Sequence, residues 1–305
     1  MPRRGLQPHR PLLRRRDQRH RRLGSLRLLL RDRVLPPPPR TARNAAGGDL
    51  TGAAPRPRLP RRSGCRHRPP QGPLAEGGPG VRRSERRAAV RRWLDAGLVA
   101  VDPELLTASA LSPRSGAAVT VIAIGKAAPG MCRGAVRALG QVAGVCVTNA
   151  PAPVPEGIEL FIGDHPLPGE RSLAAGRRVL EVARAARGRC IALISGGGSA
   201  LCELPVPGIG LELLQRAGAA LLDGGASIEE INLVRSHLSA IKGGGLARAV
   251  SGDLETWVIS DVGPAGPEVV ASGPTIPRPR NPERVLEILD VYGIPLSFEE
   301  RAAIA

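Results

Sequence analysis

Lysine is nearly absent from this sequence. Among 305 residues there are 44 lysines and arginines together, and only Lys126 and Lys242 are lysines. A composition that favours arginine so strongly would replace surface lysines without penalty, so a surviving lysine is expected where a compact ammonium is required. Chance survival is the alternative. Both lysines stand beside glycine, in IGKAA and IKGGG, which favours a place for each in a functional site.

Aromatic residues are missing from residues 1–80, and that segment carries most of the net charge. It holds 20 arginines and 4 acidic residues, whereas residues 81–305 are nearly neutral. Low hydrophobicity with high net charge does not offset the entropy of ordering. The segment is either a disordered arginine-rich arm for anionic surfaces or the product of an upstream or out-of-frame extension. We therefore predict residues 1–84 as an Arg/Pro-rich disordered or mistranslated segment, and expect nucleic-acid binding at most through it.

Paired cysteine motifs and long apolar runs are also lacking. The five cysteines are scattered without CxxC, which is typical of reduced thiols in a cytosolic protein, and no metal-ligand spacing is visible. The run LRLLLRDRVL is too short and too charged to span a bilayer, and no signal-peptide cleavage pattern precedes it. We expect a cytoplasmic protein without a membrane partner. The oligomeric state is left open by the sequence.

The remainder of the chain, residues 85–305, alternates apolar strands with helices. The predicted strands are AVTVIAIG, VAGVCVTN, IELFIG, CIALIS and ETWVIS, and predicted helices cover ERRAAVRRWLDAGLVAV, residues 210–223, residues 228–240 and NPERVLEILDVYG. A further helix, KAAPGMCRGAVRALG, is expected to break near Pro129. This alternation predicts an α/β fold, a Rossmann-like, parallel-rich sheet with helices on both faces.

Three predicted strands end in polar or glycine-rich turns, IGKAA, ISGGGSAL and ISDVGPAG. Because the carboxyl ends of parallel strands share one edge of the sheet, these turns are expected to meet there. The glycines of Gly196–Gly198 would expose backbone N–H groups to an anion, and Ser195 and Ser199 would add hydroxyl donors. The alternative for three glycines is a tight strand-to-helix turn against a neighbouring strand. Neither GxxxxGK[ST] nor GxGxxG is present.

The most informative stretch is SIEEINLVRSHLSAIKGGGLA, residues 227–247. Ser227 and Glu230 form a capping-box pattern at its start, which predicts a helix. Helical spacing places Asn232, Arg235, Ser239 and Lys242 in a polar row beside the apolar stripe. Such a row suits recognition of a carboxylate or phosphate, and the alternative is a solvated face.

Together the motifs resemble a known family. IGKAA, GDHPLP, ISGGGSAL, GASIEEINLVRSHLSAIKGGGLA, ISDV and ASGPTIP follow one another in the order found in the glycerate 2-kinase family, whose members were formerly labelled hydroxypyruvate reductases. The resemblance covers about residues 85–305. It implies a Rossmann-like N-terminal domain, a smaller C-terminal α/β domain and a cleft between them. It also implies transfer of the γ-phosphoryl of ATP to the 2-hydroxyl of D-glycerate, with Mg²⁺.

The resemblance assigns roles to residues of this chain. Lys126 is implied as a catalytic ammonium, Asp261 as the carboxylate for Mg²⁺ or the 2-hydroxyl, and Arg235 as a catalytic anion-binding group. Cofactor contacts would come from the triple-glycine loop and from the second lysine: Ser195, Gly196, Gly197, Gly198, Ser199 and Lys242. The sequence leaves open whether the loop cradles nucleotide phosphates or the glycerate carboxylate, and whether Lys242 binds nucleotide or substrate. Asn232 and His165 would contact the substrate. For His165, a loop-packing role is the alternative.

Two departures from the family pattern affect the expected activity. The chain ends at EERAAIA, where the family's first domain ends, so we expect the C-terminal domain to be missing. The family usually has Gly-Asp-Asp after SDV and Pro-Asp after GPT, whereas GPAGPE and PRPR stand here. We therefore expect a weakly active form.

Two rival functions remain. A hydroxypyruvate reductase would need a dinucleotide fingerprint with an acidic ribose-binding residue about 20 residues later, and the sequence has neither in convincing form. The non-enzymatic alternative is an inactive fragment whose basic arm binds anionic polymers.

Overall fold

The computed structural model describes residues 25–28, 83–113, 118–262 and 266–305, with backbone alone at 25–28. The chain divides into two compact units. One comprises Met1–Asp32 and Ala96–Ala305, and the other comprises Arg33–Asp95, of which only the start of one helix is described. The sheet and the candidate site residues all belong to the first unit.

The first unit is built on a parallel sheet. Within the described residues its strands are β1 (Ser25–Leu28), β2 (Val119–Ile124), β3 (Ala143–Thr148), β4 (Ile158–Ile162), β5 (Arg189–Ser195) and β6 (Asp253–Ile259). Their order across the sheet is β1-β6-β5-β2-β3-β4, and every neighbouring pair is parallel. The prediction of a parallel-rich α/β sheet is confirmed, and all five predicted strands are present.

β1 lies within the segment predicted as disordered or mistranslated. Ser25–Leu28 pairs in parallel with β6, from Ser25 opposite Glu255 to Leu28 opposite Val258. A parallel edge strand gains backbone hydrogen bonds that do not depend on aromatic or branched side chains, so composition alone could not reveal it. The rest of residues 1–82 lies outside the described residues.

Helices follow the strands as the alternation predicted. They are α1 (Arg83–Ala100), α2 (Pro103–Ala110), α3 (Ala128–Leu139), α4 (Glu170–Ala185), α5 (Gly198–Leu201), α6 (Leu211–Asp223), α7 (Ile228–Leu238), α8 (Gly245–Ala249), α9 (Pro282–Val291) and α10 (Phe298–Ile304), with a 3₁₀ segment at Pro267–Ser272. Among the described residues, none of these helices has the length and apolar character required to cross a membrane. The expected break near Pro129 is wrong. α3 begins at Ala128 and carries Pro129 in its first turn, where the missing N–H has no helical partner to lose.

The sheet is buried on both faces. Ile122, Ile124, Val145 and Ile194 point into one apolar cluster, which includes residues of α4 and α8. The alternate residues of the same strands point into a second cluster, against α3. A third cluster joins α6, α7, α9 and α10. Burial on both faces explains why the strands read as continuous apolar runs.

Chain order reverses at the centre of the sheet. From β2 the chain passes outward to β3 and β4, and then crosses to β5 on the other side of β2. In open α/β sheets, ligands bind at the carboxyl ends of the strands beside such a reversal. The loops that follow β2 and β5 are those that contain Lys126 and the triple glycine.

The cysteines within the described residues carry free thiols. Cys132, Cys146, Cys190 and Cys202 are all buried, and none is in a disulfide. Burial raises the pKa of Cys190 and of Cys202 to about 12, so these thiols stay protonated and act as apolar filling.

Candidate active site

The ends of β2 and β5 are fastened to each other. The Lys126 N–H donates to the Gly196 carbonyl at 3.0 Å, and the Ala127 N–H donates to Ser195 Oγ at 3.1 Å. Gly125 has φ +128°, and a Cβ there would lie 2.3 Å from Ser195 Oγ. Ser195 is 2% exposed, so its hydroxyl joins the two loops and does not face the crevice as the sequence analysis expected of a cofactor contact.

The triple glycine forms a loop with unpaired backbone donors. No hydrogen bond within the described residues uses the N–H of Gly196, Gly197 or Gly198. Gly197 adopts φ +85°, and a Cβ there would lie 3.0 Å from Cε of Lys126. Since that space is empty of a side chain, Lys126 lies directly along the loop, with its side chain exposed. The Lys126 side chain and the unpaired N–H groups of the loop therefore lie next to each other, an arrangement that favours an anion.

Asp261 adds a carboxylate to the same edge. It follows β6, and a Cβ on Gly196 would lie 2.5 Å from its Oδ2, so the carboxylate packs over the glycine backbone. Asp261 is exposed, and no hydrogen bond or ion pair in the described part of the chain engages it. The structure thus brings Lys126, the triple glycine and Asp261 together, as the sequence analysis expected.

A turn from another part of the chain covers the glycine loop. Ala271 and Ser272, at the end of the 3₁₀ segment, adopt φ +51° and +60°. A Cβ on Gly198 would lie 2.7 Å from Cβ of Ala271, and Ser199 Oγ lies 2.8 Å from Ser272 Oγ. The ASGPTIP motif therefore packs on ISGGGSAL, a contact that spacing in the sequence could not show.

Lys242 has a different environment from Lys126. Its side chain is 1% exposed, and its ammonium forms an ion pair with the buried carboxylate of Glu203. Glu203 also accepts from Ser239 Oγ and from the Leu204 N–H. The ammonium of Lys242 is thus compensated within the protein, so the geometry favours a positioning role over the nucleotide contact expected from the sequence.

Sequence reasoning missed Glu203. The only signal for it was a single acidic residue inside the apolar run LCELPVP. A buried charge is stable when it is paired and hydrogen-bonded, so an acid at such a place indicates a distant cation.

The polar row predicted along one helix is wrong in its geometry. α7 ends at Leu238, and Ser239 is extended with φ −114° and ψ 135°. The Ala240 N–H donates to the Leu204 carbonyl, so the chain leaves the helix to pair with residues next to Glu203. Helical spacing therefore fails for Ser239 and Lys242, although Glu203 brings the two side chains together.

Arg235 and Asn232 remain on α7. Asn232 is 2% exposed, and its Nδ2 has no hydrogen-bond partner within the described residues. Arg235 is half-buried and has no ion pair there. Burial lowers the pKa of Arg235, and the nearby carboxylate of Glu203 opposes that shift. The half-buried Arg235 guanidinium is thus available for an anion from outside the chain, whereas the Asn232 amide nitrogen is shielded from solvent.

His165 lies in the loop after β4 and is exposed, without a hydrogen bond to any described residue. Its neighbour Asp164 accepts from the Arg171 and Ser172 N–H groups at the start of α4. The GDHPLP motif therefore caps a helix. The geometry gives His165 no contact with Lys126 or the glycine loop.

The residues present are compatible with an Mg²⁺ ion that is coordinated mainly by substrate phosphates and water, with few protein side chains. Within the described ranges, no three His, Cys, Asp or Glu side chains gather as a metal-binding group. Magnesium commonly takes one or two carboxylates, with waters and substrate phosphates completing its octahedron. Exposed and unpaired, Asp261 beside the glycine loop fits that arrangement.

The fold is a doubly wound parallel sheet, with a glycine-rich loop and an exposed lysine at the carboxyl edge beside its point of chain reversal, where open α/β sheets commonly bind ligands. The model of the family described as "Domain of unknown function (DUF4147)" matches residues 89–304, so the chain belongs to that family.

Relatives confirm the resemblance seen in the motifs. The chain is 41% identical over 194 residues to D-glycerate 2-kinase of Thermotoga maritima, covering 61% of this chain and 46% of that protein. It is 37% identical over 224 residues to an Agrobacterium vitis protein provisionally named hydroxypyruvate reductase, covering 72% and 51%. The crystal structure of glycerate kinase from Thermotoga maritima matches with a TM-score of 0.65 at 36% identity, covering 73% of this chain and 55% of that one. The chain spans about half the length of these relatives.

Proposed function

We propose that this protein is a glycerate 2-kinase that transfers the γ-phosphoryl of ATP to the 2-hydroxyl of D-glycerate. The observation that carries the proposal is the exposed Lys126 ammonium lying along the unpaired N–H groups of the triple glycine. The names of the relatives support the same reaction.

Phosphoryl transfer requires mainly positioning and charge compensation. In our proposal the N–H groups of Gly196, Gly197 and Gly198 hold phosphate oxygens, and Ser199 adds a hydroxyl beside them. The ammonium of Lys126 stabilises the charge on the phosphoryl group as it passes to the substrate oxygen. Gly197 favours this arrangement because it adopts a positive φ of +85° and leaves room for the lysine side chain, which would lie 3.0 Å from a Cβ at that position.

Asp261 has two possible tasks in the reaction, and both need an unpaired carboxylate. It would hold Mg²⁺ together with the nucleotide phosphates, and the ion would neutralise phosphate charge when bound. Alternatively, it would accept a hydrogen bond from the 2-hydroxyl of glycerate and so orient the attacking oxygen. The nearby glycine loop places either partner within reach.

The carboxylate of glycerate needs a cation, and Arg235 is the candidate. Its guanidinium lacks an ion pair within the described residues, and Asn232 on the preceding turn has an unpaired amide nitrogen. A guanidinium binds a carboxylate through charge-assisted hydrogen bonds. Lys242 and Glu203 support this region from inside. His165 remains a more distant candidate for substrate contact.

A coupled assay of ADP release with D-glycerate and ATP tests the proposal. We expect low turnover from the unaltered chain, since we propose a weakly active form. That turnover should fall about 10³-fold or more in Lys126→Ala, because loss of one charge-stabilising group is of that order in phosphoryl transfer. Arg301→Gln is the matched control and should retain activity. Arg301 is an exposed arginine that pairs with Asp290. Equal turnover in Lys126→Ala and wild type would reject the proposed role of the lysine.

The hydroxypyruvate reductase alternative can be distinguished from the kinase because it uses a different substrate and cofactor. NADH oxidation with hydroxypyruvate, without ADP release from ATP and glycerate, would favour that reaction. The sequence lacks a dinucleotide fingerprint, so we expect no NADH oxidation. Free buried thiols are compatible with a reducing compartment, and a cytoplasmic location is part of our proposal.

A further inference from the structure

The Ala271–Ser272–Gly273 turn is held in an unfavourable conformation beside the glycine loop. Ala271, Ser272 and Gly273 have φ values of +51°, +60° and +61°. The left-handed region is unfavourable for residues other than glycine, and such conformations persist where surrounding contacts fix them. Here the Gly243 N–H donates to the Ser272 carbonyl, and the Gly244 N–H donates to the Gly273 carbonyl.

The conformation brings the Ser272 hydroxyl onto Ser199. The two Oγ atoms are 2.8 Å apart, and Ser272 is 3% exposed. Within the described residues, the Ser272 hydroxyl has one hydrogen-bond partner, which is Ser199 Oγ. Ser199, unlike Ser272, is partly exposed to solvent. Either oxygen can be the donor in this contact. Because the Ser272 hydroxyl has no other acceptor among the described residues, we take the Ser272 O–H as the donor to Ser199 Oγ. The hydrogen of Ser199 is then free to point outward into the crevice.

We infer that Ser272 is a positioning residue that orients the Ser199 O–H towards an anion bound at the triple glycine. Ser199 is the second residue of α5, immediately after the N–H groups of Gly196–Gly198, so its hydroxyl extends that set of donors. A hydroxyl that already accepts a hydrogen bond is also a better donor, because neighbouring hydrogen bonds polarise one another. The inference rests on the proposed function for the phosphate at this loop.

Binding of ADP to the full chain, measured by calorimetry in Ser272→Ala, Ser199→Ala and the double variant, tests the inference. We expect Ser272→Ala to weaken ADP binding about 3- to 10-fold, the range for loss of one oriented hydrogen bond. In the Ser199→Ala background the same substitution should have no further effect. Independent, additive losses would mean that Ser272 acts through general structure, and would overturn the inference.

Two further variants keep the test valid if Ser272→Ala folds poorly. Ser272→Gly removes the hydroxyl and relieves the unfavourable backbone, so it should bind ADP as weakly as Ser272→Ala with higher thermal stability. Ala271→Gly relieves the neighbouring residue but keeps both hydroxyls, and should bind ADP as wild type does.

The outcomes distinguish this inference from the proposed function. Wild-type ADP affinity in Ser272→Ala and Ser272→Gly would reject the inference while leaving the kinase proposal standing. Non-additive losses in ADP affinity, together with no phosphoryl transfer to D-glycerate, would support the inference and reject the kinase. Failure of the wild-type chain to bind ADP would reject the inference, and the ADP-release assay would then judge the kinase separately.

Discussion

At the residue scale, Glu203 is a buried acid whose charge is compensated by a buried lysine. Its carboxylate, 2% exposed, holds the buried ammonium of Lys242 and accepts from Ser239. Bringing two charges out of water is costly, and their attraction offsets that cost only while both are present. The pair therefore fixes the chain between α7 and α8 to the segment after α5.

Removing either charge alone should destabilise the protein strongly. We expect Glu203→Gln or Lys242→Met each to lower the free energy of unfolding by about 3–5 kcal/mol, because the remaining charge is buried without a partner. The double variant should lose less than the sum of the two. Urea unfolding measures all three. The exposed pair Arg301 and Asp290 is the control, and breaking it should cost less than about 1 kcal/mol. Additive losses at 203 and 242 would contradict this account.

His237 gives stability a dependence on pH. It is 2% exposed, Nε2 accepts from the Asn281 N–H at 2.8 Å, and Nδ1 lies 3.0 Å from the Leu233 carbonyl. Burial lowers its pKa, and Arg280 and Arg278 lower it further, while the Leu233 contact opposes the shift. The folded protein therefore favours the neutral ring, which holds the start of α9 onto α7.

Stability should fall as the solution becomes acidic. The unfolded chain binds a proton at about pH 6.5, whereas the folded chain binds it only at lower pH, so stability is present above that value and declines below it. Thermal unfolding from pH 7.5 to 5 should show this decline in wild type. His237→Gln should be less stable at pH 7.5 but change less with pH. His165→Gln, at an exposed site, should follow wild type. An equal decline in wild type and His237→Gln would exclude His237 as the cause.

At the scale of elements, the site depends on how closely the loops after β2 and β5 approach each other. Gly125 is the tightest point, since a Cβ there would lie 2.3 Å from Ser195 Oγ and 2.5 Å from the Ser195 carbonyl oxygen. The backbone can neither move away nor exchange partners without losing the hydrogen bond from Lys126 to Gly196.

Gly125→Ala should therefore separate the two loops. We expect a loss of about 2 kcal/mol or more in unfolding free energy, from unfavourable backbone and steric overlap together. Gly293→Ala is the matched control. It also has positive φ, at +64°, but nothing lies within 4 Å of the added methyl group. It should cost only about 1 kcal/mol. Equal losses in urea unfolding would show that conformation alone, without crowding, determines the effect.

At the scale of the whole molecule, charge is distributed very unevenly. The formal net charge is +17, and nearly all of it belongs to residues 1–80. Electrostatic binding to a polyanion depends steeply on salt because counterions are released. The sheet-bearing part, nearly neutral, offers little basis for such binding.

If the arm alone binds nucleic acid, deleting residues 1–80 should abolish that binding together with its salt dependence. Fluorescence anisotropy with a labelled oligonucleotide, at several salt concentrations, measures this. Because the deletion also removes β1 and exposes the edge of β6, a second variant with residues 1–23 deleted keeps that strand. Undiminished binding after the longer deletion would locate a basic surface elsewhere in the chain.

The sequence by itself determined the strands, most helices and the residues at the carboxyl edge. Apolar runs, caps and glycine-rich turns are local signals, and the order of parallel strands places their ends on one edge whatever the details. Lys126, the triple glycine and Asp261 could be predicted for that reason. The tertiary structure alone decided that Glu203 neutralises Lys242, that Ser239 lies outside the helix, that Ser272 contacts Ser199 and that β1 joins the sheet. These contacts join residues distant in sequence, through backbone conformations and buried charges that no local spacing encodes.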